Sequence, residues 1–239
     1  MGKIWFAFTV MMIIGFIGGP LVYLLVEKPT PLVSSGAKIE YSVNYKYANG
    51  TTGTGTLTVA YSKSGSLFIM KVESDIPGVP NASNAVSESQ PYSEYIVNVG
   101  NVTFSIAFPF MSLPTIDEIL RNPQYTLVGY NTVHYVSVLR SSVGNDAANA
   151  EYIIEMGSNL IKSAKFNVIG IYDNGTWRAP TSTDYPNGTV TSLTLTLKKT
   201  PTAPRYIFGL GLYSTIFMLV GVVGLFGFLA ILVVKTLMY

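Results

Sequence analysis

The chain has 239 residues, 49% hydrophobic and only 12% charged, with a net charge of +2, one histidine and no cysteine. So small and scattered a charge excludes a strong nucleic-acid footprint, which needs lysine and arginine gathered on one face. A lone histidine without cysteine excludes a blue-copper site, a structural zinc site and haem held by paired histidines.

After residues 1–3 comes an apolar run, IWFAFTVMMIIGFIGGPLVYLLV, over residues 4–26, closed by Glu27 and Lys28. A cleaved signal peptide shares the basic start, but its apolar core is only about 7–15 residues and a small-x-small cleavage site should follow. Here EKPTPLVSSG follows, so a retained transmembrane helix is expected. Gly15 and Gly19 form a G-x-x-x-G pair with Gly18 beside them, a smooth strip that lets another helix approach closely. Pro20 should loosen the helix one turn later.

Residues 27–205 read as strands. IEYSVNYKY places Ile39, Tyr41, Val43, Tyr45 and Tyr47 on one face and polar side chains on the other. NGTTGTG then turns the chain into TLTVAYS, and KSGS turns it into LFIMKVES, which makes a meander. Residues 75–93 are rich in proline and serine and are expected to form a mobile loop. EYIVNV and VTFSIAF are further strands, and FPFMSLP (108–114) reads as a buried crossover between sheets.

One short helix is expected in TIDEILRNP, with Thr115 as N-cap, Glu118 as its capping-box partner and Pro123 as its stop. Its Ile116, Ile119 and Leu120 should cover an end of the sheet. In YTLVGYNTVHYVSVL, His134 alternates with Val128, Tyr130, Thr132, Val136 and Val138, which points to a core histidine bonded to a neighbour. AEYIIEM, AKFNVIGIY and TVTSLTLTLKK complete about nine strands, and DNG (173–175) reads as a hairpin turn. The absence of a βαβ rhythm gives the fold class: a membrane-anchored all-β protein, with an antiparallel β-sandwich or curved meander between two transmembrane helices.

The second helix is assigned to residues 206–234, with 235–239 beyond it. The apolar run 207–234 would be about 42 Å long as a helix, against a hydrocarbon core of about 30 Å. Ser214, Gly221, Gly224 and Gly227 form a slowly drifting strip of small residues. The simplest partner for each glycine groove is the other helix, and the next is a different subunit. Lys3 and Lys235 prefer the cytoplasm, so the expected topology is two-pass in the cell membrane, with both termini inside and residues 27–205 outside. Lys198, Lys199 and Arg205 belong to a long segment that translocates largely regardless of charge.

Five N-x-[ST] sequons, at Asn49, Asn81, Asn101, Asn174 and Asn187, all fall in that outer segment and are the candidate glycosylation sites. Three read NGT, which is also plain turn chemistry. A disulfide-free outer domain of this size must rest on its core alone. In composition it resembles the Tyr- and Thr-rich outer domains of archaeal surface proteins.

Catalytic motifs are missing: there is no G-x-S-x-G elbow, P-loop or G-x-G-x-x-G. Asp117 and Glu118 are neighbours that a helix points about 100° apart, and Asp173 lacks the further acids of a calcium loop. Alternating tyrosines read as core rather than as a sugar platform. No catalytic residue, metal ligand or cofactor is therefore assigned. The expected role is a non-catalytic, outward-facing accessory or structural subunit of a membrane or cell-envelope assembly. Its partners would be membrane lipids and other membrane subunits or copies of itself. The alternatives are an extracytoplasmic binding module for a lipid or other apolar ligand, its cavity lined by Tyr41, Tyr45, Phe68 and Phe104, and a surface or viral envelope glycoprotein for attachment or coat formation.

Overall fold

The computed structural model describes residues 2–23, 33–141, 145–200, 206–207 and 210–237. Glu27, Lys28 and Arg205, read above as flanking charges, lie outside the described residues. Helix α1 (Gly2–Val22) opens the chain, and β1 (Lys38–Tyr47), β2 (Thr52–Ser64), β3 (Leu67–Ser74) and β4 (Ala82–Val86) follow. Next come a hairpin of β5 (Ser93–Val99) and β6 (Val102–Phe108), the short helix α2 (Ile116–Arg121), and β7 (Tyr125–Leu127) with β8 (Thr132–Arg140). β9 (Asp146–Glu155), β10 (Ile161–Asp173), β11 (Thr176–Arg178) and β12 (Val190–Lys199) complete the β-domain. A two-residue pair, β13 (Tyr206–Ile207) with β14 (Leu210–Gly211), precedes helix α3 (Leu212–Leu237). The helix therefore starts later than the apolar run.

All strand pairs are antiparallel, and the main sheet runs β4-β3-β2-β1-β12-β10-β9-β8-β7, with β11 paired to β10. Its curvature follows from the β5–β6 hairpin. β5 touches β4, β12 and β10, while β6 touches β8 and β9. The hairpin tip donates from the Gly100 N–H to the Val190 carbonyl (2.8 Å), and its other end lies where Ile161 N–H donates to the Pro109 carbonyl (3.0 Å). It thus runs along the strands and is one strand spacing wide, about 4.8 Å. In a flat sheet β4 and β8 would stand about 34 Å apart. To touch both sides of the hairpin, the sheet must curl around it.

Alternation does the rest. Tyr95, Val97, Val99, Val102, Phe104, Ile106 and Phe108 are buried against the concave face, while Ile96 on the other side of the hairpin is exposed. Phe104 packs on Phe166 (ring centroids 4.9 Å), and Phe108 on Tyr41 (5.3 Å) and Tyr95 (5.2 Å). Three buried tyrosines find partners: Tyr41 donates to the Ile161 carbonyl (2.8 Å), Tyr61 to Pro91 (2.6 Å) and Tyr95 to Pro80 (2.9 Å). Phe108 and Phe110 of the FPFMSLP segment are buried in the same core.

Several expectations are corrected. Residues 75–93 do not form one loop, because Ala82–Val86 pairs with β3 as an edge strand. The stretch 125–140 is two strands, with Gly129 at φ 71° in the turn between them. The face of β8 that carries His134 is the outer one. Val133 of the opposite phase is buried, whereas Val128, Tyr130 and Val138 are exposed, because Val133 and Tyr135 face Ile154 and Tyr152 across the sheet. In α2 the capping box of Thr115 and Glu118 is present, but only Ile119 is buried; Ile116 and Leu120 face outward. Ile119 joins Val133 and Met156 in a small satellite cluster, too narrow to cover more of the helix.

The helices form a unit of their own. Each is long and apolar enough to cross a membrane, with mean hydropathy 2.0 for α1 and 2.9 for α3. They pack on each other through their glycines: a Cβ on Gly15 would overlap the backbone of Gly221, and one on Gly224 would lie 2.7 Å from Met12 N. Gly18 faces Phe217, Gly19 faces Met218 and the Ser214 carbonyl, and Gly227 faces the Phe8 ring. Trp5 and Phe228 add a ring contact at 4.5 Å.

Truncating the hairpin's central anchor should be costly. Phe104→Ala is expected to lower the unfolding free energy by about 3–5 kcal/mol, and Ile96→Ala on the exposed side by less than about 0.5 kcal/mol. Urea unfolding of the full chain in detergent, followed by near-UV circular dichroism, measures both.

Candidate functional site

The five sequon asparagines are all exposed, and four of them share one end of the β-domain. Asn49 sits in the β1–β2 turn, where its Oδ1 accepts from the Thr51 N–H (3.0 Å) and Oγ1 (2.6 Å). Asn187 lies in the turn before β12, and this turn is tied to the first by Ala48 N–H donating to the Thr189 carbonyl (3.0 Å). Asn101 is at the hairpin tip, and Asn174, at φ 48°, is in the β10–β11 turn. The register explains the clustering: Tyr47 pairs with Val190 and Asn167 with Ser192, so these turns all lie beyond the same ends of β1, β12 and β10. β1 begins and β12 finishes at the opposite end, where Glu40 pairs with Lys199. Asn81 is apart from the group, before the edge strand β4, with its Oδ1 accepting from Ser74 N–H (2.8 Å).

This end is held by a buried carboxylate. Asp146 Oδ2 accepts from the Asn101 N–H (3.1 Å) and from the Tyr185 hydroxyl (2.9 Å). A side chain at Gly100, φ 62°, would run into Asp146, Val168 and Tyr185. The hairpin tip and the loop before β12 are therefore locked to the start of β9. A cleft of about 330 Å³ opens beside them, lined by Lys46, Asn49, Thr181, Tyr185 and Ser192 among others.

Around the side of the sheet lies a second feature that sequence reasoning missed. Trp177 of β11 lies over Gly170, whose hypothetical Cβ would be 3.2 Å from the indole, so the ring rests on bare backbone. Arg140 stacks on Trp177 at 5.4 Å, and Tyr172, its cross-strand partner, meets it at 5.3 Å. With Val138, Ala147 and Ile169 these residues bound a groove of about 430 Å³. Trp177 and Tyr172 are 48% and 45% exposed, so this aromatic pair is not core. The signal available in the sequence was an aromatic on each arm of an NGT turn.

A clamp holds β11 in place. Arg178 donates to both carboxylate oxygens of Asp184 (2.8 and 2.6 Å) and through Nε to Asp173 (3.2 Å), while Asp184 also accepts from the Thr181 N–H (2.6 Å). The bidentate guanidinium and the Thr181 donors hold the Asp184 carboxyl well below the usual carboxylate range.

Several other charged groups are engaged locally. Glu40 pairs with Lys38 (3.0 Å), Glu155 with Lys162 (2.9 Å), and Asp117 with Arg121 (3.1 Å). His134 Nε2 faces Glu151 at 4.0 Å on the outer sheet face. Among the described residues, no three of His, Asp and Glu are grouped to hold a metal ion. Tyr41, Phe68 and Phe104 are buried within the core, while Tyr45 borders a separate cleft with Asn44, Lys46, Thr52 and Thr194. Neither a protein-family model nor a curated protein matches the chain.

The clamp should be acid-sensitive in a defined direction. A carboxyl with a lowered folded pKa stabilises above its unfolded value, near 3.9, and that contribution fades as pH falls toward the folded value. Arg178→Gln raises the Asp184 pKa toward normal. The variant is expected to lose thermal stability relative to the parent above about pH 4, with the two converging at lower pH. Unfolding midpoints measured from pH 7 down to pH 2 provide the comparison.

Proposed function

We propose that this chain is a non-catalytic, membrane-anchored surface protein, a structural or accessory component of a membrane or cell-envelope assembly. In this reading α1 and α3 span the membrane as a packed pair, both termini are cytoplasmic, and residues 27–205 stand outside as a glycosylated β-domain. The observation that carries it is the placing of four exposed sequon asparagines at the end of the β-domain opposite the end where its first strand begins and its last strand finishes. An end dressed in sugars stays in solvent, which leaves the sides of the sheet for contact with neighbours.

The glycine strips of α1 and α3 face each other, so in this reading lipids and partner subunits meet the outer, apolar faces of the pair, such as Ile13, Ile17, Val223 and Phe226. A carrier for an apolar ligand is less well supported, because three of the four side chains it would need as a cavity lining are buried among other core side chains.

The test is extraction of the native protein in mild detergent, with sizing, identification of co-migrating chains and glycopeptide mapping. A stoichiometric set of membrane proteins together with sugars on Asn49, Asn101, Asn174 and Asn187 is expected. Ordered self-association alone would favour a coat glycoprotein instead. A sugar-free species of single-chain mass would overturn the proposal.

A further inference from the structure

The Tyr172–Trp177 pair has an occupant close at hand. The two rings project from adjacent arms of a two-residue hairpin turn, Asn174-Gly175, whose positive φ values (48° and 86°) are those such a tight turn requires. Asn174 is the acceptor of the sequon Asn174-Gly175-Thr176, and it is exposed. Tyr172 is two residues from it along an extended strand, about 7 Å, and Trp177 stands directly across from Tyr172. The first sugars attached to Asn174 are therefore within reach of both rings.

We propose that the aromatic pair Tyr172–Trp177 is a docking platform for the N-linked glycan of Asn174. This rests on the glycoprotein reading above. The chemistry matches: a pyranose ring presents one face of C–H groups, which packs against an aromatic face, while its hydroxyls remain in water. Gly170 leaves no side chain beneath the indole, so the ring sits close to the backbone there. Arg140 holds its guanidinium over the same ring, so the sugar stacks on Tyr172 and the uncovered part of the indole, 45% and 48% exposed, while Arg140 donates to its hydroxyls. Asp173 and Asp184 hold Arg178, which fixes the backbone of β11 and with it the direction of Trp177.

The platform also accounts for an otherwise costly exposure. Val138, Ile169, Tyr172 and Trp177 are each 45–58% exposed on one outer sheet face, next to the groove that Arg140 borders. A glycan lying back over Trp177 covers that apolar area and keeps the sheet face from non-specific contact.

The experiment uses the full chain, made in a glycosylating host and purified in detergent. Glycopeptide mass spectrometry first reads occupancy at each sequon. Unfolding midpoints are then measured for the parent, Asn174→Gln, Trp177→Ala and the double variant, each before and after enzymatic removal of glycans. The Asn174 glycan is expected to raise the midpoint by about 2–4 °C in the parent and by nothing measurable in Trp177→Ala. The second readout is fluorescence. The chain has two tryptophans, so Trp5→Phe leaves Trp177 as the sole tryptophan, and under tryptophan-selective excitation deglycosylation should shift its emission to the red. If no sequon carries sugar, both the glycoprotein reading and the platform fall. If Asn174 is bare while other sequons are occupied, only the platform falls. The platform alone also falls if Asn174 is occupied but the two substitutions are additive and the Trp177 emission does not move.

Discussion

A curled antiparallel sheet must have its concave side filled, and in this β-domain the β5–β6 hairpin fills it. Phe104 and Phe108 reach inward to Phe166 and Tyr41, residues carried by β10 and β1, the strands on either side of β12. Without this wedge the sheet would have no inner layer, and without disulfides nothing covalent would hold its two flanks. The domain is stable because one hairpin presents seven alternate side chains to a concave surface of matching hydrophobicity.

The hairpin also organises the end that carries most sequons. Its tip donates to Asp146 and to the Val190 carbonyl, so the tip, the start of β9 and the loop before β12 form one hydrogen-bonded cluster. Asp146 is buried, and a side chain without an acceptor oxygen in its place would leave the Asn101 N–H and the Tyr185 hydroxyl unpaired. Turns anchored this way hold Asn49, Asn101 and Asn187 in fixed places around a common rim. Under the proposed reading, this rim is where attached sugars would be displayed at set positions.

The legibility of the chain varied with how strongly each segment alternates. Ile39, Tyr41 and Val43 lie inside as the two-residue period indicated, with Tyr45 and Tyr47 half-buried, and the Asn174-Gly175 turn and the Thr115–Glu118 capping box stand where turn and cap chemistry placed them. β8 was phased the wrong way, because TVHYVSVLR offers apolar side chains on both faces, and only Ile154 and Tyr152 across the sheet decide that Val133 and Tyr135 turn inward. β4 was invisible for a related reason: ASNAV carries two small residues and two polar ones, so its strand character comes from the free edge of β3 rather than from its own pattern. The aromatic platform was missed because a strand tyrosine is ordinarily core. Here Tyr172 pairs with Trp177 on the side of β10 that no second layer covers.

The amino-acid sequence by itself determined the two apolar helices, the antiparallel class, the tight turns and the small-residue strips, because each depends on local chemistry: hydropathy over some twenty residues, side-chain alternation, positive φ at glycine, and the lack of a Cβ. Tertiary structure alone decided that β12 inserts beside β1, that a hairpin from mid-chain fills the sheet, and that four distant sequons share one end. Those outcomes depend on which surfaces meet, and a surface becomes a partner only when the chain has closed the long loops that bring it there.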